Sequence, residues 1–299
     1  MLKPCYILFI ILTACALSTN SVAQTGAPSV RLAILDFGET ETARRASSRL
    51  ALALSSNNDF SLIDRDESRA AALGAGYKGS LNMSLQEARD LGAATGADFY
   101  ITGDAQTIRR SSSARPAYYE SYASVFIVSA RTGKLVLWDR PSFEAASPVE
   151  AEESLLKELN SKAERYVNSI RKALEAERQM RAQMISDAGA SPPVIEDAPD
   201  DEASAAREGV RLPQPYRRLR PSYTEEAARA EAEATVDVEV EIDTNGEVSG
   251  VEVVRWAGFG LDEATTSTVK QLHFRPAVRD GLPIPMRVLL RYNFRKPPK

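Results

Sequence analysis

Val236-Asp237-Val238-Glu239-Val240-Glu241-Ile242, followed by Asp243-Thr244-Asn245-Gly246-Glu247-Val248, is the stretch on which the fold turns. Val236, Val238, Val240 and Ile242 alternate with acids, the period of a strand with one buried face. Asn245-Gly246 supplies the positive φ angles of a two-residue hairpin turn. Val248, Val251 and Val253 return as a second strand, and Gly250 within it marks a bulge. Leu261, Ala264, Val269 and Leu272 then recur at helical spacing. From Pro285 to Phe294 a last strand sets Met286, Val288, Leu290, Tyr292 and Phe294 against Arg287, Leu289, Arg291 and Asn293. With a short Ala/Glu helix at 225–232 in front, residues 211–299 form a three-stranded antiparallel sheet with two helices.

These residues carry a resemblance. Pro221-Ser222-Tyr223-Thr224-Glu225-Glu226-Ala227, Asp243-Thr244-Asn245-Gly246-Glu247-Val248, Leu261-Asp262-Glu263-Ala264, Phe274-Arg275-Pro276-Ala277 and Gly281-Leu282-Pro283 stand in order. The set resembles the TonB C-terminal domain family, with two departures: Thr224 replaces a second proline, and Ala234 stands where the family has Gly. The resemblance implies a binding module that captures an extended segment of an outer-membrane transporter by adding it to a sheet edge. On this chain it points to the last strand, with Arg287, Leu289, Arg291 and Asn293 facing outward, and to Pro221 and Tyr223 in the entry segment. The competing reading is that the two arginines only guard an exposed edge.

Upstream, residues 29–184 read as an α/β domain with a mixed sheet. Val30 to Phe37 (VRLAILDF) is a short apolar run closed by Gly38, and Phe60 to Ile63 is a second, stopped by Asp64-Arg65-Asp66. Helices are expected at 42–55, 67–73 and 84–95, and a third strand at Asp98 to Ala105. Tyr118 to Ala130 and Lys134 to Phe143 flank the turn Arg131-Thr132-Gly133. Ser147, Pro148 and Glu150 open a long helix with the apolar stripe Leu155, Leu159, Ala163, Tyr166, Val167, Ile170 and Leu174. Asp36-Phe37-Gly38, Asp64-Arg65 and Gly96-Ala97-Asp98 with Gly103 resemble the periplasmic domain of curli-secretion-type lipoproteins. That implies an envelope scaffold without an activity; no long hairpin of the pore-forming kind is evident. Gly74 to Gly79 matches G-x-G-x-x-G, but a helix precedes it where the dinucleotide fingerprint requires a strand.

Between the two domains, residues 185–210 are rich in Pro, Ala, Ser and acid. They read as a disordered tether, with Glu196, Asp197, Asp200, Asp201 and Glu202 as solvated charge. The chain is thus an α+β protein of two domains. At the other end, Met1-Leu2-Lys3 precedes about 12 apolar or small residues, too few for a membrane span of about 20 and fitting a signal peptide cleaved after Ala23. Leu12-Thr13-Ala14-Cys15 supports an alternative, lipidation at Cys15, and retention of residues 1–23 as an anchor is a third. All three export the body of the chain, most simply to the periplasm, with membrane association through a lipid or an uncleaved leader in the alternatives.

Composition closes off other classes. Lys plus Arg number 37 and Asp plus Glu 41, so no basic surplus supports nucleic-acid binding. One histidine and two cysteines, the latter within the leader, leave no zinc site and no Cys–His pair. Neither G-x-S-x-G nor H-E-x-x-H occurs, and no enzyme activity or cofactor is expected. Two functional readings remain: a TonB-like protein that engages an outer-membrane transporter in energy-coupled transport, and an envelope scaffold or assembly factor that uses the C-terminal module only for docking.

Overall fold

A computed structural model describes residues 29–112, 115–187 and 195–296. The leader, its cleavage site and Cys15 lie outside the described residues. The N-terminal half runs β1 (Val30–Ile34), α1 (Glu41–Ser55), β2 (Phe60–Leu62), α2 (Arg65–Gly74), β3 (Met83–Ser84), α3 (Leu85–Thr95), β4 (Phe99–Ser112), β5 (Arg115–Ser129), β6 (Leu135–Asp139), β7 (Ser142–Ala145) and α4 (Pro148–Ser186). The chain continues with β8 (Glu196–Asp197), α5 (Glu202–Arg207), β9 (Val210–Arg211), β10 (Gln214–Pro215), α6 (Glu225–Ala230), β11 (Ala234–Ile242), β12 (Val248–Trp256), α7 (Leu261–Val269), β13 (Phe274–Arg275), β14 (Ala277–Arg279), β15 (Leu282–Ile284) and β16 (Met286–Phe294).

The first sheet has the order β2-β1-β4-β5-β6, with β7 also on β5. β1 pairs in parallel with β2 and β4, while β4, β5, β6 and β7 pair antiparallel, so the sheet is mixed as the sequence implies. Each of the four longer helices of this half starts with a side-chain acceptor for its free amides. Thr40 accepts from Ala43 N, Asp64 from Asp66 N and Glu67 N, Ser84 forms a capping box with Glu87, and Ser147 accepts from Glu150 N. The glycines after α2 close that helix, and Gly76 and Gly79 take positive φ, a loop unlike a dinucleotide-binding turn.

The inner part of the first sheet, β1 with the inner halves of β4 and β5, is buried on both sides, which is why VRLAILDF is apolar almost without interruption. Leu32, Ile34, Phe99, Ile101, Val125 and Ile127 meet α1 and α4 on one face. The stripe of α4 supplies Leu155, Leu159, Tyr166, Val167 and Ile170 to that core, as expected. Ala33, Leu35, Tyr100, Phe126 and Val128 point the other way, into a core completed by Val236, Val238, Val240, Trp256, Phe259, Leu261 and Phe294 of the C-terminal half.

The C-terminal sheet is antiparallel in β12-β11-β16, and β3 and β8 extend it to the order β3-β12-β11-β16-β8. Register slips between Glu241 and Ile242, placing the bulge beside Gly250. At its β12 side the sheet is stitched to the first half. Arg255 and Trp256 pair with Ser84 and Met83. The Asn82 side chain donates to the carbonyls of Thr235 (2.8 Å) and Trp256 (2.7 Å) and accepts from Thr235 N (3.0 Å). Lys134 reaches Glu252 at 2.7 Å.

Three expectations are corrected. The acidic tether is folded from Ile195 onward. Glu196–Asp197 pairs with β16, Asp201 caps α5, and Ala205 and Val210 are buried against Ala277 and Met286, so local ion pairs and a small apolar cluster offset the ordering entropy. A long hairpin does exist: β4 and β5 stay paired from Phe99↔Ser129 to Ser112↔Arg115. The single strand expected over 134–143 is two, β6 and β7, divided at Arg140-Pro141 because proline has no amide for the ladder.

Candidate functional site

The motif residues of the C-terminal half are framework. Asp243 accepts from Asn245 N (2.8 Å) and Glu247 N (2.9 Å), closing the turn. Gly246, at φ 86°, lies on the backbone of Phe274, where a β-carbon would stand 1.9 Å from the Phe274 carbonyl oxygen. Asp262 receives the amides of Ala257 and Gly258, both at 2.8 Å. Its burial pushes the carboxyl up to about 6 against the opposing pull of those two amides. Thr224, the departure from proline, caps α6 through Ala227 N (3.1 Å) and donates to the Phe259 carbonyl at 2.5 Å. Tyr223 is half-buried, its hydroxyl 2.8 Å from the Ala232 oxygen and 3.1 Å from that of Ala227, and Pro221 precedes it half-buried. Both residues belong to the entry segment, which Tyr223 fastens to α6, away from the outward face of β16. Ala234 opens β11 opposite Phe294.

That outward face collects the other four residues singled out by sequence. β16 pairs with β11 along nine residues, from Ile242↔Met286 to Ala234↔Phe294. Period-two alternation buries Met286 and Phe294 and turns Arg287, Leu289, Arg291 and Asn293 outward. Directly opposite on β11 stand Glu241, Glu239, Asp237 and Thr235. Arg291 grips Asp237 with two bonds, Nε to Oδ1 at 2.7 Å and Nη2 to Oδ2 at 2.9 Å. Arg255 approaches the same carboxylate from β12 at 3.6 Å. Arg287 donates to Glu241 at 2.9 Å, and Thr235 donates to Asn293 at 2.8 Å. The cross-strand acids hold both guanidinium groups firmly in their charged form, chiefly through these hydrogen bonds. Leu289, 57% exposed, stands between the two arginines as an apolar knob.

The opposite flank of β16 is covered only in part among the described residues. β8 lies parallel to it, with Met286↔Glu196 and Arg287↔Asp197, and Ala198 N donates to the Arg287 oxygen at 2.8 Å. Glu196 meets Arg279 at 2.6 Å and Asp197 meets Arg287 at 3.1 Å. From Val288 to Phe294 no further strand is paired there among the described residues. Sequence reasoning missed β8, having read its acids as solvated charge. The available signal was the β-branched pair Val194-Ile195 leading into two acids that complement Arg279 and Arg287.

His273 bridges to Glu247 through the backbone and places Nδ1 2.8 Å from its carboxylate on an exposed surface. In the N-terminal half, the acidic-aromatic-Gly turn and the basic residue after β2 meet as an ion pair, Asp36 with Arg65 at 2.8 Å, tied further to Ser47 and Ser48. No helix among the described residues is long and apolar enough to cross a membrane.

Residues 220–295 match the family model of the Gram-negative bacterial TonB protein C-terminal. No curated protein matches the chain. Among solved structures, the TonB C-terminal domain of Pseudomonas aeruginosa is similar over 29% of this chain and 89% of its own, with 19% identity and a TM-score of 0.26. The LpoB C-terminal domain from Salmonella enterica is similar over 40% and 86%, with 15% identity and a TM-score of 0.28. The lipoprotein GNA1162 from Neisseria meningitidis is similar over 48% and 99%, with 15% identity and a TM-score of 0.32.

Proposed function

We propose that this chain is a cell-envelope protein whose C-terminal module recruits a partner by strand addition along β16. The observation that carries the reading is the edge itself: nine residues paired to β11 on one side and, on the other, to two residues of β8. Backbone amides and carbonyls from Val288 onward supply affinity to an incoming extended segment, and Leu289 between two fixed arginines supplies selectivity. The partner class that fits the family match is an outer-membrane transporter of the TonB-dependent kind or another envelope protein.

The test is capture from outer-membrane extracts by the chain without its leader, beside Leu289→Pro. Proline removes one amide from the edge, so the variant loses the captured partners while circular dichroism stays unchanged. Equal capture by both proteins rules out strand addition.

A second reading is favoured by a separate observation. The C-terminal module shares a core with the first sheet and is stitched to it through Asn82 and Trp256. A module that reaches across the periplasm needs a long free spacer, whereas this packing suits a compact scaffold or assembly factor that docks by the same edge. Intact mass of the protein purified from envelopes separates the two: a retained leader supports energy transduction, and a cleaved or lipidated one supports docking.

A further inference from the structure

The strand that already lies on β16 indicates what the edge accepts. β8 is two residues long and exposed to solvent on one side, yet it docks in parallel register with both of its acids matched. Glu196 takes Arg279, Asp197 takes Arg287, and Ala198 adds a main-chain bond and packs beside Met286. Then Pro199, which has no amide to offer, ends the pairing, and Asp201 turns the chain into α5. The occupied end is the one where the guanidinium of Arg287 is shared between Glu241 of its own sheet and Asp197 of the visitor.

We infer that Glu196-Asp197-Ala198 is a built-in placeholder: the β16 edge is selective for an extended segment with acids facing Arg279 and Arg287, and a partner must displace β8 to pair along the whole strand. This inference rests on the strand-addition reading. Its partner is an acidic extended peptide segment of another protein. Displacement makes the edge competent only in the fraction of molecules whose β8 is undocked, so the apparent affinity is lowered by that fraction. With β8 docked nine times in ten, the penalty is about tenfold.

The test uses the chain without its leader and two synthetic peptides. One copies residues 194–199, Val-Ile-Glu-Asp-Ala-Pro, and its twin carries lysine at both acidic positions. Amide chemical shifts of β16 report binding. The acidic peptide is expected to shift β16 resonances with the wild type and to bind about tenfold more tightly to the Glu196→Lys/Asp197→Lys double variant, which frees the edge. The lysine twin shifts neither. Hydrogen exchange needs no substitution: saturating acidic peptide speeds exchange of the Ala198 amide, which the docked strand protects. Equal affinity for both proteins, with Ala198 protection unchanged, overturns the placeholder while leaving strand addition intact if Leu289→Pro still abolishes capture. Absence of any β16 shift, together with undiminished capture by Leu289→Pro, overturns both.

Discussion

The Trp256 indole N–H donates to the Gly133 carbonyl oxygen at 2.9 Å, joining residues that lie 123 positions apart in the chain. Around this bond Trp256 stacks on Phe126 at 5.9 Å, and Phe259 meets Phe126 edge-on at 5.6 Å and Trp138 at 5.7 Å. The aromatic cluster makes the two sheets parts of one interior. Denaturant unfolding of the chain is therefore expected to be a single transition, and Trp256→Ala to lower stability by about 3–5 kcal/mol. Two separate transitions in the wild type would show that the halves unfold independently.

Asp262 gives the fold a pH dependence of known sign. Its carboxyl is raised from 3.8 to about 6 in the folded chain, so the folded state holds that proton more tightly than the unfolded state. The stability this contributes is complete below about pH 3.8 and is lost as pH rises through about 6. Asp262→Asn removes the titration. The stability difference, wild type minus variant, should shrink by roughly 2–3 kcal/mol between pH 4 and pH 7 in urea titrations. Parallel pH profiles for the two proteins would assign the titration elsewhere.

Two glycines separate backbone strain from steric clash. A β-carbon added at Gly76, at φ 78°, would meet nothing within 4 Å, whereas one at Gly246, at φ 86°, would meet the Phe274 oxygen at 1.9 Å. Gly76→Ala should cost about 1–2 kcal/mol, the ordinary penalty of a left-handed residue. Gly246→Ala should cost more than about 3 kcal/mol, because the turn and the strand that crosses it must move apart. Thermal denaturation of both variants reads the difference directly; equal losses would mean that the turn yields without strain.

Asp237 and Arg291 are unequal partners. Asp237 is buried and also faces Arg255, while the Arg291 side chain is 59% exposed. Arg291→Ala should therefore lower stability less than loss of Asp237 does, because solvent screens the exposed guanidinium. Asp237→Ala, which strips Arg291 of its acceptor and Arg255 of an ion-pair partner, should lower it by about 1–3 kcal/mol. A double-mutant cycle in urea measures the coupling, and an Arg291 effect as large as that of Asp237 would contradict this ranking.

Much of the C-terminal half was legible because its signals are local. The Val/acid alternation of β11, the Asn245-Gly246 turn, the slip beside Gly250 and the two-faced β16 each depend on neighbours within a few residues. The same holds for Ser147, which caps α4 as its sequence implies. The outer half of the β4–β5 hairpin was not legible. From Gln106 to Arg110 mostly polar and charged residues carry the strand, held by cross-strand partners such as Glu120 on Arg110 rather than by an apolar period. The junction was illegible for a different reason. Asn82, Phe126, Gly133, Trp256 and Phe259 are each ordinary residues locally, and only their meeting gives them a role. One trace of it existed in the apolar run of β1, since a sheet covered on both faces requires a second layer from somewhere in the chain.

The stitching of β12 to the first sheet also determines how mechanical tension would travel. A tug along β16 meets nine cross-strand pairs loaded in shear, and passes through β11 and β12 to Asn82 and the indole of Trp256. The traction thus arrives in the N-terminal layer through paired strands and buried side chains.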